Sequence, residues 1–399
     1  MEFFRFRRYV VLLWLMLQSV FVYAQPDSLM RSPGLQISII TCGPGTDLYS
    51  VYGHSAVRIV DSMRGTDKVY NYGTFDFSDP DFYWKFTRGK LLYYLNVESY
   101  EGFVRMYQRE GRSVYEQVLN LPMPDAVRVH DFLETNALPE NKYYHYDFLF
   151  DNCSTRIRDI FPSLLGSRFT YGQAMTDDSL SFRQLLDAYE RNIHWERVGI
   201  NLLLSSRVDD KMKSNESMFL PDFLQKGFHG ATLDGQQVVK QTLQLAPSQL
   251  PFPSNNNGPR KAMWMLLIGA FILSIIPRTR FLMVFLDVLL FLVVGLLGLF
   301  LVFMWFGTTH AVCAFNLNLF WAFPVHVLLA YFIGREHSKK AAYARVASSM
   351  LVAGVLLSWF GPQPYSPELT PLLLLLYWRL SVHSRLFNLQ SFGAWKTAR

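Results

Sequence analysis

The sequence contains little cysteine and lacks the short motifs that identify several enzyme classes. Only three cysteines occur among 399 residues. It has no CxxC pair, no HExxH pair and no glycine-rich phosphate loop, which argues against zinc-binding modules, zincin peptidases and P-loop nucleotide hydrolases. The adjacent Asp209 and Asp210 are typical of a solvated surface. We therefore predict neither a metal site nor a cofactor.

Charged residues are scarce in the C-terminal part of the chain, where long apolar runs dominate. A membrane-spanning helix needs about 20 apolar residues, or somewhat fewer where the bilayer thins. The five candidate spans are residues 262–276, 281–306, 311–334, 346–360 and 371–377. They predict a helical membrane domain of about five helices over residues 259–399.

The distribution of Lys and Arg predicts how these spans cross the membrane. The loops at 307–310 and 361–369 contain no Lys or Arg, whereas both residues collect near 278–280, at 335–345 and after 377. Because positive residues collect on the cytoplasmic side, the two uncharged loops and the preceding domain are expected outside. The net charge of +6 thus reflects membrane topology, and we predict no nucleic-acid partner.

The N-terminus has the pattern of a secretory signal. Residues 1–24 combine a positively charged start, an apolar stretch and a small-x-small site at Val22-Tyr23-Ala24. An uncleaved anchor is the alternative, and in either case the following residues are exported. We expect a multi-pass protein of the inner (cytoplasmic) membrane whose residues 25–258 form a periplasmic catalytic domain.

Residues 35–150 alternate between strand and helix periodicity. Strands are predicted at 35–41, 54–60, 68–75, 91–97, 113–121 and 142–150, and helices at 43–53, 99–111 and 124–138. Residues 180–245 are predicted to be mainly helices and loops. The short connections favour an antiparallel sheet in an α+β domain.

Cys153 is a candidate nucleophile. It follows Asn152 and precedes a segment with helical spacing of apolar residues at 157, 160 and 161, which predicts that the sulfur lies at a helix N-terminus. There, backbone N–H groups and the helix dipole stabilise a thiolate. The same N–H groups could bind an oxyanion during acyl transfer.

A thiol nucleophile needs a base, which is usually an imidazole. His54 is the strongest candidate, because it lies where a Gly-terminated turn enters a strand. If DSMRGTD forms a hairpin turn, Asn71 lies on the neighbouring strand and could fix the ring's tautomer; Asp76 is the next choice. His145 alternates with aromatic residues, which favours a structural role, although its proximity to Cys153 in the chain leaves a role at the site open.

Structural roles compete with each of these assignments. A lone Cys is often a buried apolar residue, and an exported Cys42 could form a disulfide with Cys153. Arg58 and Arg156 could bind a phosphate, although ion pairs are the commoner role. In the membrane domain, Asp287 and His326 should face other helices or a cavity.

Four segments together resemble a known family, the Lnb-type lipoprotein N-acyltransferases. They are TCGPGTDLYSVYGHSAVRIVD, VYNYGTFDF, YDFLFDNCSTRIRD and MFLPDFL. The resemblance implies a permuted NlpC/P60-type, papain-like thiol fold, similar in arrangement to lecithin:retinol acyltransferase. It implies Cys153 as nucleophile and His54 as general base; Asn71 lies within a matched segment.

The resemblance also implies the reaction. An acyl chain would pass from a membrane phospholipid, the donor, through a Cys thioester to the α-amine of a diacylglyceryl-cysteine at the N-terminus of an apolipoprotein. A membrane-tethered periplasmic cysteine peptidase or peptidoglycan amidase is the main alternative, since it would use the same residues with another acceptor. A third possibility is a non-enzymatic scaffold in which Cys42 and Cys153 are linked.

Overall fold

The computed structural model describes residues 34–250, 256–333, 335 and 339–384. The predicted signal peptide, residues 1–24, lies outside the described residues. The described chain consists of an N-terminal α+β domain and a C-terminal helical domain with apolar helices.

A seven-stranded antiparallel sheet forms the centre of the N-terminal domain. Its strands are β1 (Leu35–Cys42), β2 (His54–Asp61), β3 (Thr66–Thr74), β4 (Leu92–Ser99), β5 (Val114–Leu119), β6 (Tyr143–His145) and β10 (Val239–Ala246). They lie in the order β10-β5-β1-β2-β3-β4-β6. A smaller sheet contains β7 (Phe169–Thr170), β8 (Thr232–Leu233) and β9 (Gln236–Gln237).

Helices cover both faces of the large sheet. They are α1 (Phe82–Thr87), α2 (Tyr100–Arg109), α3 (Met123–Asn136), α4 (Cys153–Leu165), α5 (Phe182–Tyr189), α6 (His194–Leu203) and α7 (Pro221–His229). Because side chains alternate along a strand, Ile39 packs in the core with α3, α4 and α7, whereas Ile40 packs with α2 on the other face.

Most of the predicted elements between residues 35 and 138 are confirmed. The β2–β3 hairpin forms as expected, and α2 begins at Ser99, whose Oγ accepts a hydrogen bond from the N–H of Gly102. The predicted helix at 43–53 is wrong, since these residues form consecutive turns. A hydrogen bond from the Gly53 N–H to the carbonyl of Ser50, three residues earlier, closes one of these turns.

Two further predictions about strands need correction. The strand expected at 142–150 ends at His145, because the Asp147 carboxylate accepts hydrogen bonds from the N–H groups of Leu149 and Phe150 and folds the chain into a turn. The region expected to be helices and loops contains the edge strand β10, which pairs with β5.

The C-terminal domain contains α8 (Gly258–Ile275), α9 (Arg280–Phe306), α10 (His326–Phe332), α11 (Lys340–Phe360) and α12 (Thr370–His383). Among the described residues, three helical segments are long and apolar enough to cross a membrane: Gly258–Ile275, Pro277–Phe306 and Lys340–Phe360.

The span predicted at 311–334 is not one continuous helix. It contains two short 3₁₀ turns, Ala311–Cys313 and Leu317–Phe320, followed by α10. Between these turns, the Asn316 side chain donates hydrogen bonds to the carbonyls of Leu202 and Leu203 at the end of α6. These bonds fix an irregular backbone segment against the N-terminal domain.

The two domains share a polar contact surface. The Gln363 side chain donates to the Leu204 carbonyl at 3.2 Å, and Arg197 of α6 forms an ion pair with Glu368. The loop at 307–310 contacts the N-terminal domain through Thr309, whose N–H donates to the Arg88 carbonyl at 3.0 Å. Both loops that contain no Lys or Arg therefore lie on the side of the N-terminal domain.

Asp287 and His326 face other helices, as predicted. Asp287 of α9 is buried, and its carboxylate accepts two hydrogen bonds of 2.7 Å from Arg379 of α12 and contacts His383 at 2.9 Å. His326 contacts the Tyr343 hydroxyl at 2.9 Å.

Removing the Asp287 carboxylate should destabilise the membrane domain. Asp287→Ala leaves the buried Arg379 guanidinium without its charged partner, and losses of this kind cost about 3–5 kcal/mol. The thermal unfolding temperature of the full chain in detergent should fall. The double variant Asp287→Leu/Arg379→Met should recover much of the loss, because it removes both charges; no recovery would contradict this account of the pair.

Candidate active site

Cys153 is the first residue of α4, as predicted. Asn152 precedes it as N-cap, and its Oδ1 accepts hydrogen bonds from the N–H groups of Ser154 at 2.8 Å and Thr155 at 2.9 Å. The Asn152 amide also donates to the carbonyl of Phe219 at 2.9 Å. Segment 218–224, one of the matched motifs, therefore helps to fix the start of the helix that carries the thiol.

His54 and Asn71 are brought together by the β2–β3 hairpin. The strand register pairs Val57 with Tyr70, and because side chains alternate along a strand, Asn71 and His54 emerge on the same face. The His54 Nε2 lies 2.6 Å from the Asn71 Oδ1. The Asn71 amide in turn donates to Glu98 at 2.8 Å. This orients the amide oxygen towards the ring, so that Nε2 carries a proton and donates it.

The imidazole also lies beside the thiol. The Cβ position of Gly73 is 3.8 Å from the His54 Cε1 and 3.6 Å from the Cys153 Cβ, and the two side chains influence each other's pKa. Because Nε2 is engaged by Asn71, Nδ1 is the nitrogen available to the sulfur. The structure thus brings Cys153, His54 and Asn71, which lie on separate elements, together in one place, with a hydrogen bond between His54 and Asn71.

The electrostatics of this pair favour a thiolate beside an imidazolium. Burial alone would raise the pKa of the Cys153 thiol, but the charge of the neighbouring His54, with a hydrogen bond from the Ser55 backbone, lowers it below the usual 9.0. For His54, burial acts to lower the pKa, but the sulfur's charge and the hydrogen bond with Asn71 raise it above 6.5. The N-terminal end of α4 adds to the stabilisation of the anion.

Cys42 differs from Cys153 in reactivity. It lies opposite His54 in the β1–β2 pair and is 0% exposed. Burial raises the pKa of its thiol far above the usual 9.0. Cys42, Cys153 and Cys313 are all free thiols, so the alternative of a Cys42–Cys153 disulfide is not what the structure shows.

The sequence did not predict which residues pack around the His54 imidazole. Two of them are Tyr107, on α2, and Arg112, which follows α2 in the chain. The Tyr107 ring stacks on His54 with centroids 6.1 Å apart, and the Arg112 guanidinium lies 4.5 Å from the Tyr107 ring. Arg112 is itself held by the Gly43 carbonyl at 2.8 Å. The amphipathic pattern of α2 marks Tyr107 as buried, but it does not show which strand residue the ring meets.

The other candidates lie elsewhere. Asp76 is exposed and accepts a hydrogen bond from the Ser78 N–H, and His145 is exposed on the edge strand β6. Arg58 and Arg156 form ion pairs, with Asp67 and Glu116 and with Asp151, respectively.

The described residues contain no group of three or more His, Cys, Asp or Glu side chains placed to hold a metal ion. Two surface cavities of about 620 and 560 Å³ are lined by other residues than the Cys–His–Asn group.

Gly73 of β3 lies beside both reacting groups. A Cβ at this position would be 3.6 Å from the Cys153 Cβ and 3.8 Å from the His54 Cε1, and Gly73 has a φ of +87°. Residues with a Cβ adopt such a φ at a cost of roughly 1–3 kcal/mol.

Gly73→Ala should therefore lower stability by about that amount and slow the reaction of Cys153, because the added methyl group would contact both the His54 ring and the Cys153 side chain. The check is the unfolding temperature together with the rate of Cys153 alkylation. Gly65→Ala is a matched control, since Gly65 also has a positive φ of +65° but no atom lies within 4 Å of its Cβ position. Equal alkylation rates in both variants would contradict a role of Gly73 in the site.

These observations define a class: an α+β domain that brings a buried Cys and Asn together with a half-buried His, fixed to an apolar helical domain. Comparison with known families agrees with it. A model of the Lnb N-terminal periplasmic domain matches residues 24–187, and a model of the Lnb transmembrane domain matches residues 253–390. The chain belongs to the Lnb family, as its motifs suggested. No curated protein and no solved structure matches it.

Membership in this family indicates a membrane-anchored enzyme with a periplasmic domain. The two matches cover most of both domains.

Proposed function

We propose that this protein is a lipoprotein N-acyltransferase with Cys153 as nucleophile. It would move an acyl chain from a membrane phospholipid to the α-amine of the N-terminal diacylglyceryl-cysteine of an apolipoprotein. The observation that carries the proposal is the position of His54 beside Cys153 at the start of α4, where both groups lie within 4 Å of the Gly73 Cβ position and the charge of His54 lowers the pKa of the thiol. The thiol belongs to a domain that is fixed to apolar helices. These helices would keep it at the membrane, in which both lipid substrates are anchored.

In the first half-reaction, the Cys153 thiolate attacks the carbonyl carbon of a phospholipid ester. A carbon–sulfur bond forms, the ester carbon–oxygen bond breaks, and the His54 imidazolium gives its proton to the departing glycerol oxygen. The products are a thioester on Cys153 and a lyso-phospholipid. Since the Ser154 and Thr155 N–H groups already donate to Asn152, the Cys153 N–H is the helix donor nearest the oxyanion.

In the second half-reaction, the neutral amine of the lipoprotein attacks the thioester. A carbon–nitrogen bond forms, the carbon–sulfur bond breaks, and His54 accepts the amine proton. The product is an amide, and the thiolate–imidazolium pair is restored. Asn71 holds the ring in the tautomer and orientation that both proton transfers require, through its 2.6 Å contact with Nε2.

The fold and topology belong to the same proposal. His54 precedes Cys153 in the chain, which is the order of a permuted NlpC/P60-type, papain-like domain. We propose a periplasmic catalytic domain over residues 25–258 after a signal peptide, and a five-helix membrane domain over residues 259–399 in the inner membrane. The loops 307–310 and 361–369, which contact the N-terminal domain, support its outer placement.

The free thiol of Cys42 weighs against a scaffold with a linked Cys42–Cys153 pair. A peptidase or amidase would use the same Cys–His–Asn group, so the acceptor distinguishes the two enzymes. The full chain in phospholipid vesicles should transfer an acyl chain to a diacylglyceryl-cysteine peptide with a free α-amine, as measured by mass spectrometry, and not to the same peptide with an acetylated amine. Cleavage of peptides or peptidoglycan fragments without acyl transfer would favour the hydrolase.

A further inference from the structure

The short helix α1 lies at the surface of the membrane domain. The Thr309 side chain donates to the Gly89 carbonyl at 2.9 Å, just after α1, and the His310 ring contacts the Thr87 carbonyl at 3.1 Å. The Trp84 ring stacks on Phe303, in the last turn of α9, with centroids 6.1 Å apart. Helix α1 is thus attached at the end of a predicted membrane span.

Large aromatic side chains are exposed on and beside α1. The exposed fractions are 67% for Phe77, 79% for Tyr83, 56% for Trp84 and 52% for Phe86. Tyr and Trp are enriched where a bilayer meets water. An exposed apolar surface that continues from a membrane helix is suited to contact with lipid.

From this surface, a row of rings leads into the N-terminal domain. The aromatic row consists of Phe77, Phe75, Tyr93 and Tyr146, with successive ring centroids 4.8, 5.2 and 4.3 Å apart. Phe75 and Tyr146 are partly exposed, whereas Tyr93 between them is buried, so a ligand meets the row through Phe77, Phe75 and Tyr146.

The inner end of the aromatic row reaches the thiol. The Tyr146 ring lies 3.9 Å from the Cβ position of Gly73, and the Cys153 Cβ lies 3.6 Å from the same point. The sulfur's charge also contributes, after burial, to the raised pKa of the Tyr146 hydroxyl. The aromatic row therefore connects the exposed surface beside the membrane domain with Cys153.

We propose that the aromatic row binds one acyl chain of a phospholipid drawn from the adjacent leaflet and thereby brings its ester to Cys153. The inference rests on the proposed function for the role of the thiol, and it adds the path by which the donor arrives. Contact between an apolar acyl chain and the aromatic rings is favourable, because it removes apolar surface of both from water. Binding of the chain itself requires no chemistry, so it can be tested without turnover.

The test uses full-length Cys153→Ala protein in vesicles that contain a phospholipid with a photoactivatable diazirine on one acyl chain. After irradiation and digestion, adducts should concentrate on the peptides with Phe75, Phe77 or Tyr146. Phe77→Ala in this background should lower these adducts by roughly tenfold. Phe132→Ala on α3, a control with 36% exposure away from the row, should leave them unchanged. Adducts confined to α8–α12 would overturn the proposal.

A second measurement separates this inference from the proposed function. In the presence of wild-type Cys153, Phe77→Ala should slow thioester formation from long-chain phospholipid but not from a short-chain, water-soluble ester. Equal losses with both esters, or no loss with either, would overturn the chain path. Adducts on the row without any thioester in the wild-type protein would refute the acyltransferase while supporting the lipid path.

Discussion

Cys153→Ala protein is expected to fold normally and to lose N-acylation of lipoproteins, with the rate falling by roughly 10⁴-fold or more. The thiol forms the covalent intermediate, and no other cysteine can replace it, because Cys42 is fully buried with a raised thiol pKa and Cys313 lies in the membrane domain. The measurement is mass spectrometry of a lipoprotein N-terminus from a strain with no other N-acyltransferase.

Cys313→Ala is the matched control, since it removes a buried thiol from a position outside the site. It should leave the third acyl chain in place. A third acyl chain that persists in the Cys153→Ala strain would refute the nucleophile and, with it, the proposed chemistry.

His54→Gln is expected to have the second largest effect, a loss of roughly 10³-fold in acyl transfer. It should also change the pH dependence of Cys153 alkylation. In the wild-type protein His54 holds the thiol pKa below 9.0, so the thiolate persists as the pH falls beneath that value. Without the imidazolium, burial dominates and raises the thiol pKa above 9.0, so alkylation near neutral pH should become much slower.

The rate of Cys153 alkylation by iodoacetamide, followed by peptide mass spectrometry between pH 5 and 10, measures this shift. His145→Gln is a suitable control, because His145 is an exposed imidazole on the edge strand β6. It should reproduce the wild-type profile. If the His54→Gln profile did so as well, His54 would not be the group that ionises the thiol.

Local chemistry explains which parts of the site could be predicted from the sequence. An Asn that caps a helix acts on the N–H groups two and three residues later, so Asn152 and the start of α4 are encoded within four residues. The polar turn of the β2–β3 hairpin fixes the strand register, and this register places Asn71 near His54. Both features arise from contacts between residues that are close together in the sequence.

The parts that were missed depend on contacts between distant segments. Glu98 and Tyr107 reach the Asn71 amide and the His54 ring from β4 and α2, and no spacing in the sequence encodes those meetings. The break in the span expected at 311–334 has a similar cause, because Asn316 binds carbonyls of α6, more than a hundred residues earlier. Apolar composition alone favoured a continuous helix there.

The most direct test of the central claim is incubation of the purified full chain with phospholipid that carries a labelled acyl chain, without an acceptor amine. The label should appear on the peptide containing Cys153, through a thioester that hydroxylamine cleaves, and adding a diacylglyceryl-cysteine peptide should remove it. Label on another residue, or a fully active enzyme that never carries label on Cys153, would contradict Cys153 as the acyl carrier.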